Sequence, residues 1–210
     1  MAWYDLFSNF YDQSLESLYA EGRQAAAAAL RLAPGLTVLD CPCGTGQSFD
    51  GLAPPLLPGG LLVGVDLSAG MLRRGRARAE ARHFSHVQLV ELSVLSLTSA
   101  QLPVPLFDRV QVFLGLSAFP DWRAAFARLW TVLKPGGRMV VVDVFSAKLS
   151  LQGQLVNLIA RADIRRRTWE PLQEVAEDFT RTELTYRKQH GGQLFLATGV
   201  KPARATGSAG

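Results

Sequence analysis

Cysteine is scarce in this 210-residue chain: there are two, Cys41 and Cys43, one residue apart. They stand too close for an ordinary disulfide framework, and no second cluster of cysteine or histidine has metal-ligand spacing, so a stapled or zinc-built fold is excluded. Both read as small loop residues. Histidine is equally sparse, at His83, His86 and His190, and all three read as surface residues rather than acid-base groups. Long apolar runs are missing too. Met139-Val140-Val141-Val142 is strand-length and far short of a membrane span. The opening Met1-Ala2-Trp3-Tyr4-Asp5 lacks a basic stretch followed by an apolar core, so no leader is expected and a cytoplasmic location is the default.

Positive charge exceeds negative by four, but its distribution does not suggest nucleic acid. Arg73-Arg74-Gly75-Arg76-Ala77-Arg78-Ala79-Glu80-Ala81-Arg82 alternates arginine with small residues, the pattern of a solvated helix face. Arg165-Arg166-Arg167 reads as surface charge, with a phosphate or carboxylate contact as the sharper alternative. The Asn/Asp-Pro-Pro-aromatic motif of amino-directed nucleic acid modification is absent, which leaves base flipping without support.

What is present is Val38-Leu39-Asp40-Cys41-Pro42-Cys43-Gly44-Thr45-Gly46, followed about twenty residues on by Val63-Gly64-Val65-Asp66. Two successive strands each end in an acid, with a glycine-rich turn after the first, which is how doubly wound sheets hold an adenosine. The glycine loop argues against a dinucleotide, because the third glycine of G-x-G-x-x-G is replaced by Phe49. A P-loop is excluded, since no Lys-Ser or Lys-Thr follows the glycines. Asp40 stands where a carboxylate would repel a pyrophosphate but orient a cationic amino acid moiety. A nucleoside without phosphates is the expected ligand.

With these residues the sequence resembles the class I S-adenosylmethionine-dependent methyltransferases. The resemblance covers roughly residues 35 to 145 and rests on the glycine loop, on the Val63 to Asp66 strand end with Met71 after it, on Leu106-Phe107-Asp108, and on Leu133-Lys134-Pro135-Gly136-Gly137-Arg138. It implies S-adenosyl-L-methionine as cofactor, held by Asp40, Cys43, Gly44, Thr45, Gly46, Asp66, Leu67, Met71, Ser93, Val94, Gln111 and Phe113, with Tyr11 as a lid residue and Tyr4 a lesser one. Asp66 would accept the ribose hydroxyls, and Arg23 is a candidate for the cofactor carboxylate. Two positions depart from the family pattern. Pro42 replaces a usual glycine and removes an amide, and Ser93 replaces an aspartate that accepts from adenine, a neutral and shorter partner.

Strand and helix signals alternate along the chain. A helix is expected from about Ser14 to Leu32, ended by Ala33-Pro34-Gly35. Strands follow near Thr37 to Asp40, Leu61 to Asp66, Val87 to Glu91, Arg109 to Phe113 and Arg138 to Val144, with helices near Gln47 to Ala53, Ala69 to His83 and Asp121 to Leu133. A basic, apolar helical segment then runs to about Glu177, and two strand-like runs, Phe179 to Gln189 and Gln193 to Lys201, meet at Gly191-Gly192. The pattern predicts an α/β, doubly wound, Rossmann-like seven-stranded sheet, mostly parallel, with the hairpin making the last strand antiparallel, as in the family. Residues 1–201 form one domain in this reading, with 1–33 a helical lid and 202–210 a disordered tail.

A sulfonium is an activated methyl donor, so alignment and water exclusion carry most of the catalysis. No catalytic base is identified: Ser117 and Phe119 occupy the loop where related enzymes often carry histidines. The N-terminal aromatics from Trp3 to Tyr11 either cover the cofactor or pack as an amphipathic helix. That segment resembles quinone C-methyltransferases and phospholipid N-methyltransferase-like enzymes, which implies a hydrophobic small molecule or lipid as acceptor. The apolar run from Leu155 to Ile164 suits a cover over it, peripheral contact with a membrane surface, or packing in a homo-oligomer. Transfer of an aminopropyl or 3-amino-3-carboxypropyl group from the same cofactor is the alternative enzyme, and a non-catalytic cofactor-binding scaffold the alternative outside catalysis.

Overall fold

In the computed structural model, residues 19–147, 162–184 and 192–203 are described. The expected elements fall into place along them. Helix α1 (Ala20–Ala29) precedes β1 (Thr37–Asp40), α2 (Phe49–Leu52), β2 (Leu61–Asp66), α3 (Ala69–Ala81) and β3 (Val87–Glu91). Then come β4 (Phe107–Phe113), α4 (Trp122–Thr131), β5 (Leu133–Phe145), α5 (Glu170–Val175), β6 (Glu177–Glu183) and β7 (Gln193–Val200). The seven strands form one sheet in the order β3-β2-β1-β4-β5-β7-β6. β1 through β5 pair in parallel, while β7 runs antiparallel to both β5 and β6.

Period-2 alternation divides the strands between two cores. Val38, Leu62, Val140, Val142, Leu194 and Leu196 point to the face covered by α1, α2 and α3, where Ala26, Phe49, Leu52 and Leu72 meet them. Leu39, Val63, Val65, Val110, Val112, Met139, Val141 and Phe195 point to the other face, against Phe126 and Leu129 of α4 and Leu172 of α5. Each inner strand is therefore apolar on both sides, as a sheet covered by helices requires.

Several limits differ from the sequence expectation. β4 and β5 begin earlier, at Phe107 and Leu133, because these two residues pair with each other ahead of a register shift; the Leu-Lys-Pro-Gly-Gly turn is in addition held to the end of β7, Gly136 N donating to Lys201 O and Lys201 N to Gly137 O, both at 2.8 Å. The helix expected from Gln47 shortens to the four residues of α2, since Gly46, at φ +77, holds the preceding turn out of helical geometry. The helical segment expected to reach Glu177 stops at Val175, where β6 begins two residues on. Residues 1–18, 148–161, 185–191 and 204–210, with Tyr4, Tyr11, His190, most of the expected apolar cover and most of the tail, lie outside the described residues.

Candidate functional site

The carboxyl ends of β1, β2 and β4 converge where the strand order reverses between β1 and β4, the point at which open α/β sheets bind ligands. The first wall is the turn after β1. Cys41 N donates to Gln111 O at 3.1 Å and Cys43 N to Val65 O at 2.9 Å, which anchors both sides of Pro42 to the neighbouring strands. The loop thus keeps its shape without an amide at Pro42. The ring of Pro42 packs against the loop after β4 so closely that a Cβ on Gly115 would meet its Cδ at 2.3 Å.

Gly44 and Gly46 have opposite reasons for being glycine. Both have positive φ, but a Cβ at Gly44 would meet nothing within 4 Å, whereas one at Gly46 would lie 2.4 Å from the ring of buried Phe49. Gly44 therefore presents bare backbone to open space, where a ligand can approach. Phe49, which breaks the dinucleotide pattern, fills the space beneath Gly46. Thr45 is buried between them.

Asp66 closes this turn from β2. Its Oδ2 accepts from Gly44 N and its Oδ1 from Ser68 N, each at 2.9 Å. Desolvation raises its pKa, opposed by donation from Ser68, Gly44 and Leu67 amides. The carboxylate is half-buried, so it is fixed in place yet keeps lone pairs for hydroxyl donors. Ser68 in turn caps α3, its Oγ accepting from Met71 N at 3.3 Å. Met71 is half-buried in the first turn of α3, and Leu67 is 63% exposed on the rim.

Asp40 lies deeper, 1% exposed, with Oδ1 accepting from Gln111 Nε2 at 3.0 Å. Burial pushes its carboxyl to about 7, against the Gln111 hydrogen bond and with the repulsion of Asp66. Asp40 Oδ2 and Gln111 Oε1 are both buried without a hydrogen-bond partner. The same burial holds the thiols of Cys41 and Cys43 well above their ordinary range, helped by Asp40 and Asp66, so neither is a reactive thiolate.

At the end of β3, Ser93 caps a short 3-10 turn, its Oγ accepting from Leu95 N at 3.3 Å. Val94 is buried beside it. Phe113 turns toward α1, where Tyr19 meets its ring edge-on at 6.2 Å and the Arg23 guanidinium lies 5.9 Å from its centroid. Arg23 also donates to Gln47 Oε1 at 2.9 Å, which puts it beside the glycine turn.

The sequence reading missed Asp143. This carboxylate, 1% exposed near the end of β5, accepts from Ser117 N at 2.8 Å, from Ser117 Oγ at 2.6 Å and from Val144 N at 2.9 Å. An acid inside the run Val140-Val141-Val142-Asp143-Val144 was the available signal. Ser117 is thereby bound to Asp143 rather than turned to the cleft. Its carbonyl accepts from Asp163 N, and Arg166 Nη1 donates to Phe119 O at 2.6 Å. Arg165 pairs with Asp163 at 2.9 Å and Arg167 with Glu170 at 2.8 Å, which favours the structural over the anion-binding reading of this triplet. His86 Nε2 lies 2.8 Å from Ala53 O, while His83 is exposed at the end of α3. No cluster of three metal-ligating side chains occurs among the described residues. A groove of about 650 Å³ lies at the opposite end of β3, beside Arg76, His83 and Phe84; it has none of these strand-end acids.

This sheet order, with a glycine turn and two strand-end acids at the reversal point, defines a nucleoside-binding α/β domain. Residues 38–137 match the family model described as methyltransferase domain, and in this stretch the chain is similar to the class I S-adenosylmethionine-dependent methyltransferases. It is similar to demethylmenaquinone methyltransferase of Listeria welshimeri, 28% identical over 144 residues that make up 69% of this chain and 60% of that relative. The chain thus spans about three-fifths of the relative's length. Among solved structures, geranyl diphosphate C-methyltransferase from Streptomyces coelicolor A3(2), in complex with Mg2+, geranyl diphosphate and S-adenosyl-L-homocysteine, superimposes at a TM-score of 0.70 with 19% identity, over 89% of this chain and 80% of that one. The cyclase SpnF does so at 0.71, also with 19% identity, over 88% and 82%. At such identities these two likenesses speak to the fold alone.

The site fits the cofactor of this class. The open face at Gly44 admits a ligand against backbone, Asp66 offers a fixed acceptor, and Asp40 adds a second, buried carboxyl at the neighbouring strand end. No helix among the described residues is long and apolar enough to cross a membrane.

Proposed function

We propose that this chain transfers a methyl group from S-adenosylmethionine to a hydrophobic small molecule, with quinones and lipids the first acceptors to test. The observation that carries the reading is the Gly44–Asp66 bond at the open face of the turn, within a chain matched by the methyltransferase-domain model. Asp66 binds the ribose hydroxyls, Gly44 and Thr45 line the cofactor's path, and Asp40 with Gln111 faces its cationic end. When bound, the cofactor supplies an activated methyl on sulfur. The residues then have to exclude water and hold the acceptor in line, which is a matter of proximity rather than a triad. The match to a quinone methyltransferase supports the acceptor class.

The test is incubation with methyl-labelled S-adenosylmethionine and demethylated quinols or phospholipids, followed by mass spectrometry. Label in the acceptor with S-adenosylhomocysteine as coproduct supports the reading. Methylthioadenosine as coproduct indicates 3-amino-3-carboxypropyl transfer, and the aminopropyl alternative is tested with the decarboxylated donor in place of S-adenosylmethionine. Ser117 turned to Asp143, with no histidine in that loop, favours the scaffold as second reading; saturable cofactor binding without transfer to either acceptor class would support it.

A further inference from the structure

The two oxygens left over in the floor of the cleft belong to one bonded pair. Gln111 donates through Nε2 to Asp40 Oδ1 at 3.0 Å. What remains is Asp40 Oδ2 and Gln111 Oε1, both buried and without a hydrogen-bond partner. Two acceptors cannot satisfy each other, and a buried acceptor without a donor costs about 1 to 3 kcal/mol. A single proton removes both deficits. On Oδ2 it makes Asp40 a carboxylic acid, whose O–H can donate to the amide oxygen while the amide N–H already donates to Oδ1. The acid and the amide then close a ring of two hydrogen bonds.

We propose that Asp40 and Gln111 share one proton when the cofactor is absent, and that loading of the cationic cofactor expels this proton to solvent. The proposal rests on the cofactor reading above. Gln111 is a positioning residue in it: its N–H selects which carboxylate oxygen is left for the proton, and its carbonyl receives that proton's hydrogen bond.

The surroundings of Asp40 favour the neutral form. Gln111 on β4 carries no charge, Asp66 at the end of β2 is negative, and the flanking thiols of Cys41 and Cys43 are kept protonated. Burial and Asp66 together bring the carboxyl to about 7. A ligand bearing a sulfonium and an ammonium reverses the balance, because an opposite charge nearby favours the carboxylate. The linkage is reciprocal: if binding releases a proton, raising the pH tightens binding.

The experiment is calorimetric titration of the full chain with S-adenosylmethionine at about pH 6 in two buffers of different ionisation enthalpy, repeated near pH 8.5 and with Asp40→Asn. Close to one proton released per cofactor at the lower pH, almost none at the higher, and none in Asp40→Asn supports the proposal. Asparagine is nearly isosteric with the neutral acid and preserves the paired hydrogen bonds. Infrared difference spectra of the wild type provide a check that does not depend on the variant: a neutral-carboxyl stretch should disappear on cofactor addition. Saturable binding with no proton release and no carboxyl band overturns the proposal and leaves the cofactor reading intact. Failure of S-adenosylmethionine to bind at either pH overturns both.

Discussion

At the scale of single residues, Asp66 carries the cofactor assignment most directly. It is held by two backbone amides at 2.9 Å, so removing its side chain deletes both the proposed ligand acceptor and a brace for the glycine turn. Asp66→Ala should weaken S-adenosylmethionine binding by about 1.5 to 3 kcal/mol, the range for hydrogen bonds to a charged group. Calorimetry on a variant shown to be folded by circular dichroism checks this, and unchanged affinity would reject the assignment. Gly46 tests packing instead. A methyl there both meets the Phe49 ring and demands φ +77 of an L-residue, so Gly46→Ala should lower the melting temperature by about 4 °C or more. Gly44→Val at open space should act on cofactor binding much more than on packing.

At the scale of elements, the strands were legible because their apolar runs are short and bounded. β1, β2 and β3 have the limits that alternation and turn residues predict. The helices were read less well where a tertiary contact overrides propensity. α2 is cut short by the left-handed turn at Gly46, and β5 extends back to Leu133 because Phe107 at the start of β4 pairs with it while Lys201 holds the intervening glycines. The cap at Ser68 shows a local signal that survives folding: its Oγ accepts from Met71 N at the start of α3. Ser68→Ala should cost about 1 kcal/mol in denaturant unfolding; a variant as stable as the wild type would show that Asp66 and the α3 packing hold the helix start unaided.

At the scale of the whole molecule, acids gathered by the sheet make stability depend on pH. Desolvation raises the pKa of Asp40, Asp66 and Asp143 in the folded chain. A carboxyl raised on folding binds more protons folded than unfolded, so its contribution is present below the unfolded pKa and is lost as pH rises through the folded one. For Asp40 the window runs from 3.8 to about 7. Asp108 works in the opposite sense: partial burial pushes it up, but Lys134 and Thr37 outweigh that and hold it below 3.8. Its stabilisation is lost at more acid pH. Ligand-free protein should therefore melt at falling temperature between about pH 5 and pH 8, with a shallower fall in Asp40→Asn. Scanning calorimetry across that range checks the sign, and a rising melting temperature would contradict it.

What the sequence by itself determined was the fold class and the position of the glycine turn proposed to hold the cofactor, because glycine spacing, strand-end acids and alternation are local and survive in one dimension. It also placed Asp40 and Asp66 at strand ends and Gly44 in the turn after the first of them. Only the tertiary structure decided what each side chain faces. Phe113 turns to α1, Ser117 to Asp143, and the arginine triplet to Asp163, Glu170 and the carbonyls of the β4–α4 loop. It alone joined Asp40 to Gln111, 71 positions apart. Such pairings depend on strand order and burial, and neither the partner of a buried carboxylate nor its protonation can be read until the sheet has brought both groups out of water.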